Sequence, residues 1–337
     1  MTTSATAAIV VPVYATLGNH RLDYLDQTLQ SVQKQTHRGL VCVVVDDGST
    51  VDVQAFVKDQ KYDRLRYVRR ERGPSDLRTA SNALNFGIDL CLRGSGDVFT
   101  SEEARNLSAL AYLHSDDILT VDSIEMRLSA LSDSVAFVHT DFARIDPNSR
   151  LLGINRWSKR NDEYAGNILA GGFGHHTTMW TMQFVGMLMQ YVSERYGQNG
   201  IFDSRLSHGE DMDMSLSGVE AADRASRIIA HIPKIAYLYR QHPNSISGDK
   251  VSLEYRKGQE ELINLKHFSE ADLAEFKRKL FLRRLTRDFP WSLGTSLPEE
   301  VKRYLRPVRD NIKRIGAKKN MTSEEIENLE SILAALS

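Results

Sequence analysis

Three short, unbroken apolar runs constrain this 337-residue chain more than any other feature: 7–14 (AAIVVPVY), 40–45 (LVCVVV) and 107–113 (LSALAYL). Each is too continuous to be a strand with one wet face. Runs of this kind read as strands of a parallel sheet covered on both sides. Pro12, near the end of the first run, suits a strand terminus because it removes a ladder donor. Between the runs lie helical patterns. Residues 22–35 put Leu22, Leu25, Leu29 and Val32 on one face, and 51–59 and 79–92 read as further helices. A strand at 65–69, a helix at 123–131 and a strand at 134–139 continue the alternation. The pattern argues for an α/β sheet flanked by helices. Such sheets bind ligands beyond the carboxyl ends of their strands. Two of the runs end there in paired aspartates, Asp46-Asp47 and Asp116-Asp117.

The length suits one catalytic domain, 1–250, followed by a smaller region, 251–337. The stretch 151–200 is the least regular. A helix at 212–222 and a strand at 228–240 follow it. A formal net charge of -1 argues against a nucleic-acid partner. Cys42 and Cys91 sit among apolar residues and read as buried and reduced, which with the absence of a leader pattern points to the cytoplasm. No apolar run approaches the ~18 residues of a membrane span.

Several polar groups carry candidate chemistry, and each also has an ordinary structural reading. Asp116-Asp117 could supply oxygens to a hard divalent cation bridging substrate phosphates, or cap a helix. Asp46-Asp47-Gly48-Ser49 could hold a base or ribose, or make a plain strand-to-helix turn. Glu210-Asp211 opens a helix, where the dipole favours an ionised carboxylate fit for general-base work or simple capping. His242 could meet a metal or a phosphate, or only solvent. His175-His176 are adjacent, a spacing that rarely turns two rings onto one ion. Arg78 and Arg240 have the planar fork that suits a diphosphate.

Taken in order along the chain, these stretches resemble family 2 glycosyltransferases of the GT-A fold. The matching segments are IVVPVY (9–14), VVVDDGS (43–49), ALNFGI (83–88), LAYLHSDD (110–117), FDSRLSHGEDMDMSL (202–216) and YLYRQHPNSIS (237–247). The resemblance implies an α/β, Rossmann-like mixed sheet with a helical C-terminal appendage, nucleotide-sugar binding at about 7–120 and an acceptor side at about 140–250. It implies nucleotide-sugar contacts from Pro12, Tyr14, Asp46, Asp47, Arg78, Ser115 and Asp116. It gives Mn²⁺ or Mg²⁺ to Asp116 and His242, with Asp117 and His114 as alternates. Asp211 becomes the catalytic base, with Glu210 beside it at the acceptor. Two departures stand out. The usual D-x-D reads His114-Ser115-Asp116 here, and 91–105 looks like an insertion. The implied reaction is inverting transfer from a nucleoside-diphosphate sugar, UDP-sugar favoured, to a saccharide or lipid-linked acceptor in polysaccharide or glycoconjugate synthesis. A degenerate GT-A domain that only binds nucleotide sugar, or acts as a scaffold, is the alternative. A dinucleotide oxidoreductase is disfavoured, since no G-x-G-x-x-G follows the first strand.

Charge is uneven. Residues 277–319 hold 14 Lys/Arg against 4 Asp/Glu. The region 271–319 could pack on the acidic domain, contact a second copy, or meet an anionic membrane at the cytoplasmic face with Phe289 and Trp291 at the interface.

Overall fold

The computed structural model describes residues 6–156 and 174–243, except 20, 61–63, 74–75, 77–78, 95–97 and 207. It also describes 245, 323 and parts of 259–269. Met1–Ile263 forms one compact unit and Asn264–Ser337 a second. The basic region 271–319, Arg78 and 157–173 lie outside the described residues.

The first unit is built on one mixed sheet. Its strands are β1 (Ala7–Val13), β2 (Leu40–Asp46), β3 (Leu65–Arg69), β4 (Ala109–Tyr112), β5 (Ile118–Leu119), β6 (Val135–Ile145), β7 (Leu151–Asn155), β8 (Met179–Thr181) and β9 (Ile228–Arg240). The order is β3-β2-β1-β4-β8-β6-β9-β5, with β7 on β6. The half from β3 to β4 is parallel; β8 then enters antiparallel to β4 and to β6. The helices are α1 (Arg21–Gln33), α2 (Val53–Asp59), α3 (Ser81–Arg93), α4 (Ser101–Asn106), α5 (Ser123–Leu128), α6 (Met182–Tyr196) and α7 (Glu210–Arg224).

Every residue of β1, β2 and β4 is buried, as unbroken apolar runs require. On one face Ile9, Val11, Cys42 and Val44 pack with Leu25, Leu29 and Val32 of α1. Burying one such side chain contributes about 1.5–3 kcal/mol. On the other face α3 approaches so closely that a Cβ on Gly87 would lie 2.5 Å from Val10 Cγ1 and 2.9 Å from Val45 Cγ2. That contact is the physical reason for the glycine in ALNFGI. Both cysteines are buried and free.

Three elements depart from the sequence expectations. The 134–139 strand continues to Ile145, the apparent insertion carries α4 with a Thr100/Glu103 capping box, and the irregular 151–200 stretch contains β7, β8 and α6.

Candidate active site

β1 and β2 end side by side, with Val13 opposite Asp46. The turn that follows is closed by Asp47 N–H donating to the Val13 carbonyl (2.8 Å) and Ala15 N–H to Ser49 Oγ (2.8 Å). The two aspartates then part. Asp46 is fully buried, accepting from Ser49 N–H (2.8 Å), the Tyr67 hydroxyl (2.8 Å) and Arg69 (3.0 Å). Asp47 lines a cavity of about 300 Å³ beyond the strand ends, together with Pro12 and Tyr14. Arg70 and Arg72 reach its two carboxylate oxygens at 2.5 and 2.6 Å. The Arg72 guanidinium also lies 4.1 Å from the Tyr14 ring centre.

The second aspartate pair also splits its tasks, although both members line the cavity. Asp117 is buried, and its oxygens accept from the Tyr237 hydroxyl (2.7 Å) and Arg240 N–H (2.7 Å), fastening β9 to the turn after β4. Burial, then the charge of Asp116, raise its pKa well above the carboxylate range. The Arg240 guanidinium is buried too. It donates to the carbonyls of Asp116, Asp146 and Pro147 and to Gln27, which braces loops. Asp116 faces the cavity with His114 and Ser115. Its Oδ2 meets Arg21 Nη1 at 2.5 Å and His242 Nε2 at 2.9 Å. Burial alone would raise Asp116, but Arg21 foremost, with His242 and His114, holds it below the usual range.

α7 supplies the third wall. Its N-cap, Gly209, has φ +79°, a left-handed conformation that favours glycine. That turn brings Glu210 and Asp211 to the cavity opposite the strand ends. Glu210 is buried, and its carboxyl is pushed up to about 7 by burial and then by Asp211. Burial also acts to raise Asp211. His175, His114 and His176 together outweigh it, and Met212 N–H donates to the carboxylate at 2.8 Å. His175 Nδ1 lies 2.8 Å from Ser215 Oγ, which donates to the Asp211 carbonyl (2.9 Å). Burial pushes His176 down to about 3.

The cavity therefore gathers Pro12, Tyr14, Asp47, Ser115, Asp116, Glu210 and Asp211, with His114 and Asp117. Asp46 is not among the lining residues, and His242 reaches the cavity through Asp116. Arg21 and Arg72, which no sequence pattern singled out, also line it, as does His176 of the adjacent histidine pair. Among the described residues no three His, Cys, Asp or Glu side chains converge as a metal cage. A hard cation could be held here only with few protein ligands, for which Asp116 and His242 are the candidates, completed by phosphates and water.

Residues 8–191, just over half of the chain, match the family described as Glycosyl transferase family 2. The chain belongs to this family. Its relatives include an uncharacterized glycosyltransferase of Rickettsia bellii, 26% identical over 217 residues, covering 63% of this chain and 26% of that protein. An uncharacterized glycosyltransferase of Haemophilus influenzae is 24% identical over 160 residues, covering 46% and 54%. The chain thus spans about a quarter of the Rickettsia protein and about half of the Haemophilus one. The crystal structure of Staphylococcus aureus TarS 1-349 is similar in fold, with TM-score 0.55 and 16% identity, covering 98% of this chain and 90% of that one. A structure of the same TarS segment in complex with UDP gives 0.54 at the same identity and coverage. GalNAc-T7 with UDP, GalNAc and Mn²⁺ gives 0.51 at 13% identity, covering 90% and 54%. These likenesses make the mixed sheet a GT-A fold. No helix among the described residues is long and apolar enough to cross a membrane.

Proposed function

We propose that this family 2 member is an inverting glycosyltransferase that moves a sugar from a UDP-sugar to an acceptor hydroxyl of a saccharide or lipid-linked substrate. The observation that carries the reading is one cavity holding Asp47 and Tyr14, Asp116, and the Glu210-Asp211 pair on three separate walls. Tyr14 offers a ring face and Asp47 a carboxylate at the nucleoside end. Asp116 and His242 would hold Mn²⁺ or Mg²⁺, which when bound neutralises charge on the departing diphosphate. Asp211 is held below the usual carboxylate range, so it is ionised at neutral pH and can accept the acceptor's proton as the hydroxyl attacks. Glu210, beside it, offers an acceptor hydroxyl a second oxygen partner. Attack from the α7 wall on a donor held at the strand ends reaches the face opposite the leaving group, so the anomeric centre inverts without a covalent sugar–enzyme intermediate. UDP in the TarS and GalNAc-T7 structures supports the choice of nucleotide.

Calorimetric titration with UDP, GDP and dTDP sugars, with and without Mn²⁺, tests the donor half. Metal-dependent binding of UDP-sugar, lost in Asp116→Ala, is expected. Failure of every nucleotide sugar to bind the folded protein would favour the scaffold alternative. Asp211→Asn tests the base: turnover should fall about 10²–10⁴-fold with donor binding kept, and near-wild-type turnover would remove Asp211 from the role.

A further inference from the structure

The first turn of α1 delivers Arg21 to the same carboxylate oxygen that His242 holds. Arg21 Nη1 lies 2.5 Å from Asp116 Oδ2, and His242 Nε2 lies 2.9 Å from it. The three side chains are largely withdrawn from solvent, at 14%, 13% and 1% exposure for Arg21, Asp116 and His242. Arg21 is also braced locally. Asn19 Oδ1 accepts from Arg21 N–H (3.2 Å) and Thr16 N–H (3.0 Å), while its amide donates to the Tyr14 carbonyl (2.9 Å). One turn on, Tyr24 packs its ring 4.8 Å from His242 and beneath the Arg240 guanidinium. The start of α1 is thereby built onto the Asp116–His242 pair.

A carboxylate oxygen has about two lone-pair sites. At Asp116 Oδ2 a guanidinium and an imidazole occupy both. A cation that took Asp116 Oδ2 would have to displace one of these two groups, and Arg21 is the one whose charge it would replace. We propose that Arg21 is an internal cation that competes with the divalent metal for Asp116 and turns to the donor's diphosphate when nucleotide and metal bind. The proposal rests on the donor and metal reading above. Its chemistry follows from the guanidinium fork, which matches paired phosphate oxygens as well as a carboxylate. Metal alone must displace Arg21 from Asp116 with no new partner for it. Metal arriving with a diphosphate finds that partner supplied, so metal and nucleotide each strengthen the other's binding, reciprocally. Arg21 would then keep a site with two candidate protein ligands, and histidine in place of the first motif acid, from loading metal without donor.

The test is Mn²⁺ binding by the full chain, read from the free-ion electron paramagnetic resonance signal, with and without UDP. Without UDP, Arg21→Gln should bind Mn²⁺ about tenfold more tightly than wild type. Saturating UDP should tighten Mn²⁺ binding by wild type and do so distinctly less for Arg21→Gln. Arg21→Met, which keeps the apolar stem, serves if the glutamine variant does not fold. Equal or weaker Mn²⁺ binding by a folded Arg21 variant without UDP overturns the competition. UDP that binds no form of the protein while the variant still tightens Mn²⁺ removes the donor reading and upholds Arg21 as the competitor at Asp116.

Discussion

At Glu210, burial and the adjacent charge of Asp211 push the carboxyl up to about 7 from an ordinary value of 4.5. Between those pH values the folded protein keeps a proton that the unfolded chain has released. The native state is therefore favoured below pH 4.5 and loses that advantage as pH rises through 7, in all about 3 kcal/mol. Glu210→Gln removes the titrating group. Its melting temperature should rise relative to wild type at pH 8 and differ little at pH 5, even as acceptor use suffers. Equal shifts at both pH values would show that Glu210 is not held protonated. The aspartate pairs show what the sequence could and could not give at this scale. Both pairs were legible as strand-end acids, but successive residues leaving a strand point to opposite sides. Asp46 faces inward and Asp47 the cavity; Asp116 and Asp117 both line the cavity, with Asp117 the more buried and held by Tyr237 and Arg240 N–H. The phase is reversed between the pairs: the less buried member is second in one, Asp47, and first in the other, Asp116. That phase depends on Tyr67 and Arg69 under one pair and Tyr237 under the other. No local pattern announces those partners, and Arg21 is similarly one cation among 43 Lys and Arg.

The strands and helices of the first half were legible because their burial is uniform and their spacing regular. The strand expected at 134–139 runs on to Ile145, past the polar residues His139, Thr140 and Asp141. They are buried in mid-strand, where His139 pairs in register with His231 of β9 and stacks on it at 4.7 Å, while His231 meets Asp141 at 2.9 Å. Two predictions belong to this scale. Gly87→Ala should destabilise by about 1–3 kcal/mol, because the new methyl meets Val10 and Val45 side chains on a rigid sheet; chemical denaturation reads this directly, and an unchanged midpoint would mean α3 can shift freely. Arg127, in α5, is fully buried and burial pulls its pKa down to about 10. Its guanidinium donates to the carbonyls of Thr177 and Thr178 (3.2 and 3.4 Å) and of its own helix at Ser123 (3.1 Å). It thus secures the turn that carries His175 and His176. Arg127→Leu should cost about 2–4 kcal/mol through carbonyls left without donors. Hydrogen exchange should quicken first around 174–178. A uniform change across the sheet would instead make Arg127 a general core group.

For the whole molecule, the charge imbalance is the feature that the site does not absorb. The chain's net charge is -1, yet 277–319 carries 14 basic and 4 acidic residues, so the remainder is strongly acidic. An acceptor attached to a lipid would have to be met at a membrane surface. There each nearby Lys or Arg contributes about 1 kcal/mol on anionic lipid, an attraction confined to roughly a Debye length. A basic stretch with Phe289 and Trp291 is chemically suited to that contact. The prediction is that the full chain co-sediments with vesicles containing phosphatidylserine and not with neutral phosphatidylcholine vesicles. The binding should fall steeply as salt is raised. Replacing Phe289 and Trp291 with serine should weaken it and leave UDP binding, proposed for the strand-end cavity, unchanged. If no vesicle binds and the chain instead sediments as a concentration-dependent dimer, the basic region serves a second copy of the protein. If it binds neither, the membrane role of the basic region is overturned.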